Sequence, residues 1–204
     1  MLSERLQLKI YLDLPKTAPH FEVEALIPVF HRFIREQLIK ELLIDVVDYS
    51  HVPDGPGVVL IGHAADYYVG TLDGAYGLVY SLKRGDAGPE VRLEDSLRRL
   101  INAARLLEQE GGLKLRFKTD ELSLRLTDRL HAPNEDEVFA KTKAEVEALL
   151  ARVYGAVPNI ERLPSRKEPL GLRIHWPLPG GTPTLDALLE KLGGPPVPVS
   201  SAVN

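Results

Sequence analysis

Leu6, Leu8, Ile10 and Leu12 alternate with Gln7, Lys9, Tyr11 and Asp13. A period of two marks a strand with one buried face, here over 6–14. Residues 15–20 read as a turn. Apolar residues then fall at 30, 33, 34, 38 and 42, the stripe of an amphipathic helix. The helix is expected over 28–42, with Pro28 in the first turn, where its missing N–H costs nothing. Residues 42–47 and 58–61 are short apolar runs with strand character, and Pro53-Asp54-Gly55-Pro56-Gly57 breaks the chain between them.

Leu72-Asp73-Gly74-Ala75 is a hairpin turn of the Asp-Gly type. Its register pairs 70 with 77, 69 with 78 and 67 with 80. Tyr67, Val69, Leu78 and Tyr80 then share one face, and Gly70 lies opposite Gly77 on the other. Facing glycines leave a depression that another backbone can approach closely. A helix packed there is the expectation, and a ligand is the alternative.

Leu93, Leu97, Leu100, Ile101, Ala104 and Leu107 predict a second helix over 93–109, ended by Gly111-Gly112. A second hairpin is expected next. In it Leu113, Leu115 and Phe117 share a face with Leu122, Leu124 and Leu126, while Lys114, Arg116, Lys118 and Arg125 form an opposite, solvated basic face. A third helix is expected over 135–153, with Asn134 as its cap and acids in its first turn. Residues 155–169 read as an irregular connection and 170–176 as a last strand. Thr184 caps a short helix over 185–192 that stops at Gly193-Gly194. Strand runs broken by single helices predict an α+β fold: an antiparallel or mixed sheet of about six to seven strands, with three to four helices mainly on one face. The expected organisation is one globular domain over 1–192 and a flexible Pro/Val/Ser tail over 193–204.

At 204 residues the chain buries a large core without staples. It has no cysteine, which removes thiol nucleophiles, cysteine metal sites and disulfides together. The net charge of −4 and the lack of any long basic run argue against a nucleic-acid partner. No apolar run approaches the length of a membrane span, and Met1-Leu2-Ser3-Glu4-Arg5 lacks a secretory pattern, so a cytoplasmic location is expected. Scarce Met, Asn and Gln with abundant Pro and Leu suit either a thermophilic source or a GC-rich genome.

One pattern occurs twice. Asp48-Tyr49-Ser50-His51-Val52-Pro53-Asp54 and Asp128-Arg129-Leu130-His131-Ala132-Pro133-Asn134 share Asp-x-x-His-x-Pro-(Asp/Asn), and each follows an apolar run. The first copy stands close to His63 and Asp66. Imidazole with carboxylates is a ligand set for zinc, manganese or non-haem iron, or an oriented general base. Asp48, His51, Asp54, His63 and Asp66 therefore form the candidate polar site, with Tyr67, Tyr80 and His131 as candidate pocket lining. The competing account is structural: an Asp before a turn accepts backbone N–H bonds, and Pro fixes the exit. His20, His31 and His175 carry no such context.

Two functions follow. One is a non-catalytic binding or assembly module, with a protein partner or self-association at a sheet edge. The other is a metal-binding protein or hydrolase acting on a small polar substrate, with a divalent metal as its cofactor. The absence of Gly-x-Ser-x-Gly, phosphate-loop or dinucleotide signatures tips the balance to the first.

Overall fold

The computed structural model describes residues 5–14, 21–53, 55–71, 74–83, 89–165, 167–177 and 180–196. Among these, eight strands form one antiparallel sheet. In chain order the elements are β1 (Leu6–Leu12), α1 (Leu26–Arg35), β2 (Leu43–Tyr49), β3 (Gly57–Gly62), β4 (Ala65–Gly70), β5 (Gly77–Leu82), α2 (Pro89–Glu108), β6 (Phe117–Leu126), α3 (Asp136–Tyr154), β7 (Asn159–Arg162), β8 (Leu170–His175) and α4 (Leu185–Lys191). The strands lie side by side as β2-β3-β4-β5-β1-β6-β8-β7. This is the expected α+β class, with slightly more strands than the sequence suggests.

Alternation decides which face is dry. Leu6, Leu8, Ile10 and Leu12 of β1, Tyr67 and Val69 of β4, Leu78 and Tyr80 of β5, and Leu122, Leu124 and Leu126 of β6 join one buried cluster. The helices supply the other half of that cluster, led by Phe30 and Phe33 of α1 and by Leu97, Leu100, Ile101 and Ala104 of α2. Burying one such leucine contributes about 1.5–3 kcal/mol. All four helices bury residues in this layer, so the opposite face of the sheet has no helix on it among the described residues.

The hairpin register is as the sequence indicates: Tyr67 pairs with Tyr80, Val69 with Leu78 and Gly70 with Gly77. The helix expected over the glycines is absent, because helices pack on the tyrosine face. A Cβ on Gly77 would instead meet the Ile10 carbonyl oxygen at 2.5 Å and Lys9 Cε at 2.6 Å. The glycine admits the backbone of β1 and the stem of Lys9.

Three other expectations change. α1 stops at Arg35 rather than near 42, because Gln37 turns left-handed (φ 50°). Leu38 N–H then reaches the Phe33 carbonyl and Gln37 N–H the Ile34 carbonyl, a Schellman close. The chain drops Ile39 into the core and leaves Leu42 exposed. There is no second hairpin at 113–126. Residues 117–126 are one strand whose register slips against β1 between Ile10–Leu122 and Leu12–Phe117. That bulge lets odd-numbered Phe117 and even-numbered Leu122 both face the core. Within the connection read as irregular, Asn159–Arg162 pairs with β8 as an edge strand. The Thr184 cap holds, with its hydroxyl accepting from Ala187 N–H at 3.2 Å. The hairpin tip at 72–73 and the tail from 197 lie outside the described residues.

Gly77→Ala should destabilise the fold by about 1–3 kcal/mol through overpacking against β1. Gly112→Ala, where an added Cβ meets nothing within 4 Å, should change little. Urea unfolding of the two variants measures the contrast.

Candidate functional site

Both copies of the Asp-x-x-His pattern are turns. Asp48 lies one residue before the end of β2, and its Oδ1 accepts from the Ser50 N–H at 2.8 Å and the Ser50 hydroxyl at 2.5 Å. Those bonds hold its carboxyl below the usual range. Asp128 follows β6, and its Oδ2 lies 2.8 Å from His131 Nδ1 while Oδ1 accepts the His131 N–H at 3.3 Å. The His131 bond, above all, lowers the Asp128 carboxyl. Asn134 caps nothing: Glu135 occupies the cap position of α3 and makes no side-chain cap bond. The Asn134 amide instead donates to the Ser165 and Glu168 carbonyls at 3.0 Å each, and its oxygen takes Arg162 Nε at 2.9 Å.

Topology separates the histidines. His51 follows β2 and His63 follows β3, and these strands are antiparallel neighbours. The two side chains therefore sit at opposite ends of β3, roughly 20 Å apart along a six-residue strand. β6 runs antiparallel to β2 five places across the sheet, so His131 lies at the far end from His51. His51, His63 and His131 are all exposed. Among the described residues no three His, Asp or Glu side chains gather as metal ligands, and Asp54 lies outside those residues. Asp66 is paired with Lys83 Nζ at 2.7 Å, and Lys83 also donates to the Gly62 carbonyl at 2.7 Å.

Asp66 and Tyr67 are consecutive in β4 and so point to opposite faces of the sheet. Tyr67 and Tyr80 meet edge-to-face in the core at 5.1 Å between ring centroids. They do not line a pocket with Asp66. On the open face there is a cleft of about 520 Å³, lined by Tyr49, Gly55, Pro56, Val59, Ile61, Asp66, Tyr68, Gly70 and Thr71. Val59, Ile61 and Tyr68 pack together as a small apolar floor with Val79. Gly70 makes room for the Tyr68 ring, since a Cβ there would touch that ring at 3.2 Å. Gln7 Nε2 lies 3.5 Å from the Tyr68 hydroxyl and 3.2 Å from Ser81 Oγ, which anchors the ring from behind. Burial pushes the Tyr68 hydroxyl up to about 12, so it remains a neutral phenol at physiological pH.

A second polar cluster lies beneath the sheet. Glu41 Oε2 takes Arg99 Nη1 at 3.2 Å, with the two side chains only 4% and 10% exposed. Arg99 Nε also donates to Asp95 Oδ2 at 2.7 Å. Tyr67 and Tyr80 border this group, and burial raises both phenols. The sequence does not reveal the cluster, because its periodicity extends the helix through Glu41, which lies in the connection beyond the end of α1. The legible signal was on α2, where Ser96 and Arg99 border the apolar stripe at helical spacing and are buried.

No family model, no curated protein and no solved structure matches this chain.

Because Asn134 ties three segments together, Asn134→Ala should cost about 1–3 kcal/mol. His131→Ala, on an exposed side chain, should stay within about 0.5 kcal/mol of the parent. Equilibrium denaturation of both variants ranks the two residues. Equal effects would contradict the assignment of Asn134 as the hub of this loop.

Proposed function

We propose that this chain is a non-catalytic binding module that takes a small organic ligand with an aromatic or aliphatic body in the cleft over β3 and β4. The observation that carries this reading is the cleft on the sheet face that bears no helix among the described residues. This cleft of about 520 Å³ has an apolar floor of Val59, Ile61 and Tyr68, flanked by Tyr49. Sites for small molecules commonly span about 300–1,000 Å³ with apolar walls and few polar groups. Thr71 supplies a hydroxyl at one end, and Asp66 is the single carboxylate among the described lining residues. Lys83 neutralises Asp66, and no histidine stands among the lining residues, so the cleft is better equipped to hold a ligand than to transform one. The hydrolytic and metal-binding alternative has no converging ligand set to rest on among the described residues.

A second reading, docking of a protein partner or a second copy, draws on a different observation. Leu42, Ile44, Tyr49 and Val52 are exposed large apolar side chains concentrated on or beside edge strand β2. Simple sheet extension is disfavoured there. The register slips at Leu43–Asp45, and the Val46 N–H is already taken by Asp45 Oδ1 at 2.8 Å. Bulges and inward-turned acids are devices that discourage edge pairing. Any partner would therefore meet side chains rather than the backbone ladder.

Titration with the fluorescent probe anilinonaphthalene sulfonate tests the cleft. Tyr49→Ala should weaken probe binding about tenfold, the loss of roughly one aromatic contact. His63→Ala should leave binding unchanged. Equal binding by both variants would reject the cleft. Light scattering that shows a dimer dispersed by Ile44→Lys would favour the second reading.

A further inference from the structure

The Glu41–Arg99–Asp95 cluster is unbalanced. One guanidinium faces two carboxylates, and the shorter bond, 2.7 Å against 3.2 Å, goes to the more exposed Asp95. Glu41 is left with half of a shared charge in a nearly solvent-free position. Its other oxygen, Oε1, is buried with no hydrogen-bond partner, as is the neighbouring Tyr67 hydroxyl. Gly62 makes room for this oxygen: a Cβ there would come within 3.0 Å of it. A buried carboxylate satisfied on one side only is costly when ionised and much less so when it carries a proton.

We propose that Glu41 is a proton-operated latch: protonated, it holds the connection 36–42 against α2 and β4, and ionised, it loosens that connection and the edge strand β2 that follows. Three observations place the latch. Glu41 lies between the Schellman turn that ends α1 and the start of β2. Its bonded partner Arg99 sits on α2 and Tyr67 of β4 stands beside it, so Glu41 ties the loop to the helix layer where that layer meets the sheet. Its neighbour Tyr67 is flanked along β4 by Asp66 and Tyr68, which line the cleft on the opposite face. The proton on Glu41 thus bears on the same strand that floors the cleft, from the opposite side of the sheet.

The groups facing Glu41 are known from each packed element. Arg99 and Asp95 come from α2, Tyr67 from β4 and Tyr80 from β5, while the Asp66 charge acts from the opposite face of β4. Burial is the largest influence and raises the carboxyl from 4.5 to about 7. The Arg99 charge opposes it, and the Asp95 and Asp66 charges add to it. The folded chain therefore binds this proton more tightly than the unfolded chain. The stability it contributes is complete below about 4.5 and is lost as pH rises through about 7.

Glu41→Gln preserves the shape and removes the titration. Between about pH 5.5 and about pH 8, the parent melting temperature should fall relative to that of Glu41→Gln by roughly 5 °C. Parallel profiles would overturn the proposal. Asp95→Asn frees Arg99 for Glu41 and should move the transition to lower pH, whereas an unchanged midpoint would refute the charge imbalance. Infrared spectroscopy of the unaltered chain serves if a variant fails to fold. A protonated carboxyl band should persist at about pH 6, where surface acids are ionised, and vanish by about pH 8. Its absence at the lower pH would also overturn the latch.

Discussion

One-sided burial governs this molecule. A single sheet turns its alternate residues, from Val58 and Leu60 on β3 to Leu170 and Leu172 on β8, toward one helix layer. Each helix is amphipathic and has this same surface to cover. The consequence is a face without helices among the described residues, where the side chains are a mixture: Val59, Ile61 and Tyr68 on the β3–β4 side, Gln7 and Ser81 beside them, and Arg125 and Arg173 beyond. Although Lys9, Tyr11, Val79 and Ser123 are buried on it, this face lies outside the main core and is free to specialise. The cleft arises where that freedom meets a glycine at position 70 and the returning loop at Gly55 and Pro56.

Much of the architecture was legible because it follows from periodicity. β1 and the β4–β5 hairpin are set by alternation and an Asp-Gly turn, and α2 by its leucine stripe. What was not legible depended on tertiary override. The stripe at 30, 33, 34, 38 and 42 continues past the real helix end, since nothing in its spacing reveals that Gln37 adopts a left-handed conformation. Lys118-Thr119-Asp120-Glu121 resembles a turn, and it is a bulge within one strand, held by the Thr119 hydroxyl to the Pro183 carbonyl at 2.6 Å and by Trp176 N–H to the Asp120 carbonyl. Such long-range bonds leave no local mark.

The repeated Asp-x-x-His-x-Pro pattern shows why proximity in sequence is a poor guide to a site. Asp48 and Asp128 do similar work, turning the chain by accepting local hydrogen bonds. His51 and His63 are twelve residues apart and at opposite ends of one strand. Glu41 and Arg99, far apart in sequence, share a buried bond. Tyr67 and Tyr80 were rightly paired with each other and wrongly grouped with Asp66, since a one-residue step along a strand crosses the sheet.

The position of β1 has a bearing on how the sheet is assembled. It is an early strand in the chain, yet it lies between β5 and β6. On one side of it, β2 to β5 form a meander of neighbouring hairpins that close locally and fast. On the other, β6, β8 and β7 are made last. β1 is thus the seam between two wings, with one edge waiting for residues 77–82 and the other for 117–126. During synthesis from the N-terminus, its second edge stays open until β6 emerges, and an unpaired apolar strand is a template for aggregation. Lys9, buried at that seam, places a cation in an interval of the chain that must stay soluble while it waits.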